Sequence, residues 1–282
     1  MKWCLPGAAA LLLTASFAHS ADLYQPAEPM PFMDAPEITV QEASGWYLRG
    51  DVGYSFNKIR GAKYYQGSNE FFNDFDTASL KDSFLIGGGV GYQINSYLRT
   101  DVTFDYLTSA DFRGSTSGVC GDGAGNPFVA CSSTDRSYMH AYSLMANAYV
   151  DLGTYGYVTP YVGAGIGGTY VKWGKLKNRI CDDPYQPGGC YGGDHDGEKS
   201  WRFTYALMAG ATVDITCALK ADVGYRFRHV AGGDMFGYLD RGGPGYDKGF
   251  YSHEARVGAR YVFGGCDTPV AYEPAPEPIV YK

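Results

Sequence analysis

The sequence predicts an all-β fold: an eight-stranded antiparallel transmembrane β-barrel with four long extracellular loops and short periplasmic turns. Three observations predict it. Between residues 45 and 263 apolar and polar residues alternate with a period of two, the mark of strands that show one apolar face. The connections between these runs are tight and long by turns, as in a barrel that crosses a membrane. The chain holds 39 Gly and 25 Tyr with only 19% charged residues, a balance that favours strand over helix. Past residue 20 no segment approaches the ~18–20 consecutive apolar residues of a membrane helix, so any crossing must be made by strands.

The first strand, GWYLRGDVGYSF, sets Trp46, Leu48, Val52, Tyr54 and Phe56 on one face and Tyr47, Arg49, Asp51 and Ser55 on the other. The second, SFLIGGGVGYQI, sets Phe84, Ile86, Val90, Tyr92 and Ile94 against Ser83, Gln93 and three glycines. In the third, YLRTDVTFDYL, Leu98, Val102, Phe104 and Tyr106 oppose Arg99, Asp101, Thr103 and Asp105. The fourth runs over about 138–152, with Tyr142, Leu144, Ala146, Ala148 and Val150 opposite Ser143, Asn147 and Asp151. The fifth, YVTPYVGAGIGGTYV, carries Pro160, which lacks a ladder donor and suits a strand end. The sixth, WRFTYALMAGATVDI, opposes Trp201, Phe203, Tyr205 and Leu207 to Arg202, Thr204, Thr212 and Asp214. In the seventh, LKADVGYRFRH, Leu219, Val223, Tyr225 and Phe227 oppose Lys220, Asp222, Arg226 and Arg228. The eighth, YSHEARVGARYVF, opposes Ala255, Val257, Ala259, Tyr261 and Phe263 to Glu254, Arg256 and Arg260.

Alternation alone does not say which face is outside, since a soluble lipocalin-like barrel alternates with its apolar face inward. Aromatic residues near the strand ends of the apolar face, with small aliphatics between them, fit two interfacial girdles around a lipid band. The other face mixes Gly, Thr and balanced charge, which fits a narrow filled lumen. The long connections are expected at 57–81, about 108–137, 174–200 and 231–250.

The ends of the chain are different in kind. Residues 1–20 combine Lys2, an apolar run and Ala18-His19-Ser20, a secretory signal pattern with a cut expected before Ala21. Removing it takes away Lys2 and no acid, which leaves a net charge of −8 from the −7 of the whole chain. Residues 21–44 and 264–282 are acidic and Pro-rich, a periplasmic lead-in and tail that cannot form a core. The acidic balance argues against a nucleic-acid partner, which needs a basic surface.

The signal, the acidic lead-in and the stretches GWYLRGDVGYSF, TPYVGAGIGG and LKADVGYRF resemble the opacity-type, OmpA-like eight-stranded outer-membrane barrels of alphaproteobacteria, a porin-family group of surface antigens. The resemblance spans residues 45–263, the expected barrel domain. It implies residence in the outer membrane of a Gram-negative bacterium, contact with its lipid and lipopolysaccharide, and insertion by the barrel assembly machinery. Such barrels often end on an aromatic residue, a role that falls here to Phe263. The chain departs from that pattern by continuing 19 residues further, and it has no room for a peptidoglycan-binding domain.

Inside such a barrel charges have to pair. The expected lumen network is Arg49, Arg99, Arg202, Lys220, Arg226, Arg228, Arg256 and Arg260 against Asp51, Asp101, Asp105, Asp151, Asp214, Asp222 and Glu254. The competing reading is a conducting pore. Arg49-Gly50-Asp51, an adhesion tripeptide if exposed, belongs to a strand pattern repeated as LRTDVTFDY and LKADVGYRF, which puts both charges inward. Six cysteines follow the signal. Their simplest pairing is Cys120 with Cys131, Cys181 with Cys190, and Cys217 with Cys266, with redox-labile thiols as the alternative.

No catalytic set, cofactor site or metal site is predicted. In Ser252-His253-Glu254 adjacent residues point to opposite faces, and His229 also falls on the outer face. Asp194-His195-Asp196, with Asp182 and Asp183, reads as a solvated acidic loop rather than a cation site. Tyr64, Tyr65, Phe71, Phe72 and Phe236 are the candidates for surface recognition, against the alternative that they pack together and order the loops. The expected role is an envelope structural barrel that makes contacts through its loops, a surface or host partner being left open. The runners-up are a small pore and, more weakly, a lipid-modifying enzyme.

Overall fold

The computed structural model describes residues 45–66, 71–120, 129–182, 190–239 and 242–265. The expected signal, lead-in and tail therefore lie outside the described residues.

Among the described residues fifteen strands follow in order: β1 Gly45–Ile59, β2 Ala62–Gln66, β3 Phe71–Asp74, β4 Thr77–Leu80, β5 Ser83–Gln93, β6 Leu98–Cys120, β7 Val129–Asp151 and β8 Val158–Trp173. They continue with β9 Leu176–Asp182, β10 Cys190–His195, β11 Lys199–Asp214, β12 Leu219–Val230, β13 Gly233–Phe236, β14 Gly245–Asp247 and β15 Phe250–Val262. Eight of them form a closed antiparallel ring in the order β1, β5, β6, β7, β8, β11, β12, β15, with β15 paired back onto β1. Closure leaves none of the eight with an unpaired edge.

The three described turns at one end are tight. Asn95 accepts the backbone N–H groups of Tyr97 and Leu98 on its Oδ1 at 2.9 and 2.8 Å. Gly153 and Gly156, at φ +102° and +67°, supply left-handed backbone in the second turn. Thr216 Oγ1 caps the third through Ala218 and Leu219.

At the other end the structure differs from the sequence expectation. The four long connections are not irregular loops but carry β-sheet of their own. β6 and β7 run on together beyond the ring as a long ribbon, extended sideways by β9 and β10. Strands β13, β14, β2 and β3 form a separate four-stranded sheet. The Cys181–Cys190 disulfide joins directly paired residues of β9 and β10. Cys131 and Cys217 are also disulfide-bonded, whereas the side chain of Cys120 and all of Cys266 lie outside the described residues. Replacing Cys181 and Cys190 together by Ser should cost roughly 2–3 kcal/mol of local stability through lost loop constraint. The expected readout is earlier proteolysis between β9 and β10 with the heat-modifiable gel shift of the barrel unchanged.

The reason the extensions hold together is an exchange of polarity along the strands. Over the ring, large apolar side chains such as Val52, Ile86, Leu144, Ile166, Leu207 and Val257 face outward and are exposed, while charges face in. Beyond it the same inward rows become apolar. Leu85, Leu107, Ala141 and Val171 lie side by side across β5–β8. Phe112, Met139, Trp173, Val230, Met235, Phe236 and Phe250 complete one buried cluster. At this height Lys58, Arg113, Arg136, Lys172, Lys177 and Arg179 are on the exposed face. A barrel with an apolar coat and a polar filling thus becomes, along single strands, one with a polar coat and an apolar filling. Such a coat fits lipid below and water above.

Candidate functional site

The ring's interior is the first candidate, because a barrel conducts only if its lumen is open. At the periplasmic end Tyr47, Tyr149 and Tyr161 point inward and fill the space with rings. The Arg99 guanidinium lies 4.2 and 4.5 Å from the ring centres of Tyr149 and Tyr161 and pairs with Asp151 at 3.1 Å. Lys220 and Asp214 pair at 2.5 Å on the more open rim. Arg260 reaches Asp222 at 3.6 Å, and Asp222 also accepts the Thr212 hydroxyl at 2.6 Å.

The middle layer is a chain of alternating charge. Arg49 donates to Asp51 at 2.7 Å and to Asp101 at 2.8 Å. Asn147 donates to the second oxygen of Asp101 at 2.7 Å. Arg256 bridges Asp51 at 3.3 Å and Asp105 at 3.0 Å. Above it Arg226 joins Asp105 at 2.8 Å to Glu254 at 2.5 Å. Glu254 also accepts from Arg228, whose Nη1 donates to Ser143 Oγ at 2.7 Å. Apart from Arg49 and Asp51, neighbours on one face of β1, the pairs bring residues from different strands, and the alternation of each strand aims them at one another.

The top of the lumen is closed by a residue that sequence reasoning missed. Asp247, on β14, reaches down to Arg202 at 2.7 Å and accepts from Trp173 Nε1 at 3.2 Å. It sat in a stretch read as a polar loop, and the signal that marks it is the short Gly245-Tyr246-Asp247 alternation. Tyr149 and Tyr161 were missed as lumen residues for another reason: an inward aromatic looks like any girdle tyrosine until register is known. A void inside this network, bordered by Arg49, Asp51, Tyr149, Arg226 and Arg256, measures about 10 Å³. That is about the space of one water molecule.

Arg49 and Asp51 are both buried in the lumen, so the Arg-Gly-Asp tripeptide presents only its glycine outward. Ser252 is buried while His253 is exposed, its Nδ1 2.6 Å from the Tyr225 hydroxyl, and Glu254 is committed to arginines. These three side chains do not converge. Around the outer interface run aromatic contacts of paired strands, Tyr106 with Tyr142, Tyr170 with Trp201, and Phe227 with Tyr251.

The recognition candidates divide. Phe71 and Phe72 are exposed on β3, with Tyr65 against Phe72 at 3.6 Å between ring centres. Tyr64 packs on Phe75. Phe236 is a correction to the sequence reading: it is buried, against Phe75 and the His195 ring, because β13 turns its Met235 and Phe236 into the apolar cluster. His195 points inward, its Nδ1 2.9 Å from the Gly237 carbonyl oxygen, while Asp194 is exposed and Asp196 pairs with Lys175 at 3.4 Å. Asp183 and the side chain of Asp182 lie outside the described residues.

Similar proteins occur in Brucella and Rickettsia. An uncharacterized protein of Brucella abortus (strain 2308) is 40% identical, over 90% of this chain and 95% of its own length. An adhesin-like protein of Rickettsia bellii (strain RML369-C) is 25% identical over 77% of this chain and 87% of its own. The crystal structure of Neisserial surface protein A aligns with 79% of this chain and all of its own, at 15% identity and a TM-score of 0.45. The family description "Outer membrane protein beta-barrel domain" matches residues 8–263, which takes in the whole ring and its extension. The chain is a member of this outer-membrane β-barrel family and resides in the outer membrane of a Gram-negative bacterium.

Proposed function

We propose that the protein is a closed structural barrel that holds a rigid β-built platform above the outer membrane for contact with other surfaces. The observation that carries this reading is the filled lumen, in which the void among Arg49, Tyr149 and Arg226 is only about 10 Å³. An open pore would need a continuous aqueous path, whereas here buried ion pairs and three tyrosines occupy the bore from Lys220 to Arg202. The platform supports the second half of the proposal. Phe71, Phe72, Tyr191 and Tyr238 are exposed aromatic groups beyond the membrane, the residue type that anchors protein contacts. The adhesin-like name of the Rickettsia relative is in keeping with such a role.

Planar-bilayer recording tests the closed lumen. Purified, heat-modifiable protein is expected to give no stable unitary openings above the bare membrane. Stable openings that scale with protein added would replace this reading by the small pore.

A further inference from the structure

The ribbon of β6, β7, β9 and β10 and the small sheet that carries β2 border a half-open cavity of about 570 Å³ beyond the membrane. Its walls include Tyr64, Phe75, Leu176, Ile180, Tyr191 and Phe236. Small-molecule sites are typically about 300–1,000 Å³, mostly apolar, with a few converging polar groups.

The polar groups here converge on Asp135. Its side chain lines the cavity, yet the residue is only 1% exposed. Its Oδ2 accepts the Ser133 hydroxyl and its Oδ1 the Asn178 amide, both at 2.6 Å. Ser133 is linked in turn to Thr116 Oγ1 at 2.7 Å. A carboxylate offers about four acceptor sites, so two remain.

Asp135 also differs from every other buried acid among the described residues. Asp51, Asp101, Asp105, Asp151, Asp222, Asp247 and Glu254 each have an arginine within 4.0 Å, and Asp135 has no basic partner at that distance among the described residues. The basic residues of the same ribbon, Arg113, Arg136, Lys177 and Arg179, stand on its exposed outer face. A buried carboxylate without a counter-charge is costly. Burial pushes the Asp135 carboxyl above its ordinary range, against the opposing effects of Ser133, Asn178 and the nearby His195.

We propose that this cavity binds a small organic cation, an amine carried on an aromatic or aliphatic body, with the ammonium on Asp135 and the body against the surrounding rings. An ammonium supplies the missing counter-charge and donors for the free lone pairs, and aromatic faces favour a cation beside them. A hard metal ion fits poorly, since it needs six or more oxygen ligands. The site is separate from the lumen, so it stands whether or not the barrel conducts.

The test compares phenethylammonium with 2-phenylethanol, which keeps the ring and loses the charge, by calorimetric titration of the full chain folded in nanodiscs. The amine is expected to bind at least about tenfold more tightly, the scale of one charge-assisted hydrogen bond. Asp135→Asn should erase that preference while the heat-modifiable shift is kept. Ile180→Trp fills the cavity from β9, the strand paired with that of Asp135, with Asp135 in place and should weaken both compounds, which keeps the test decisive if the first variant misfolds. Equal binding of the two compounds, a preference that survives Asp135→Asn, or no binding of either at millimolar concentration overturns the proposal.

Discussion

Replacing Glu254 by Gln should destabilise the folded barrel by about 3–5 kcal/mol, the usual cost of removing one partner from a buried ion pair. Glu254 is fully buried and accepts from Arg226 Nε at 2.5 Å and Arg228 Nε at 2.7 Å. Without its charge, Arg228 keeps only the Ser143 hydroxyl, and Arg226 and Arg256 share Asp105. Arg228 would then lack a carboxylate partner in a space too narrow for bulk water, while Arg256 alone of the three still reaches a second acid, Asp51. Urea unfolding in lipid vesicles reads the effect as a lower midpoint at unchanged slope. Adding Arg228→Met should recover much of the loss, because an unpaired buried cation is removed with it. A change below about 1 kcal/mol for Glu254→Gln would show that the network is hydrated and not sealed.

The second large effect belongs to the outer face. Val257 lies in mid-strand with Val52 and Val223 beside it on the neighbouring strands, all three exposed. Val257→Arg is expected to cost about 2–4 kcal/mol, as for a charge on the lipid face near the bilayer midplane. Thr134→Arg, also outward but on the extension beyond the membrane, should stay within about 0.5 kcal/mol. The same unfolding assay compares them. Equal effects at the two positions would refute the placement of the lipid band, since a water-exposed face tolerates arginine at either.

The eight ring strands were legible in the sequence because each has to satisfy two solvents at once. Lipid outside and charge pairs inside leave a period-two pattern in which Leu48, Arg49, Asp51 and Val52 already show their faces. The extension was not legible for a related reason. In β7 the outward row passes from Leu144 and Tyr142 to Arg136 and Thr134, while the inward row passes from Asn147 and Ser143 to Ala141 and Met139. Alternation persists but its sense reverses, so a search for one apolar face loses the strand there and reports a polar loop. The β-bulge between Leu107 and Ala110 adds a break in register at the same height on β6. Phe236 was misplaced as a surface residue and Asp247 missed because their environments are assembled by β13 and β14, strands of four and three residues, and β14 finds its other partner, β2, far away in sequence. Asp135 carries no local signal at all. What distinguishes it is the lack of an arginine, which only the folded arrangement reveals.

The reversal of polarity along each strand also acts as a depth gauge. Raising the molecule by one residue pair, about 7 Å along a strand, would lift apolar side chains such as Phe84 and Leu207 toward water. Lowering it by the same step would drag Arg136 and Lys172 toward the acyl chains. Both displacements cost free energy at several positions around the circumference simultaneously. The protein is therefore held at one level in its bilayer like a float with a painted waterline, and whatever stands on the platform is presented at a fixed height above the cell.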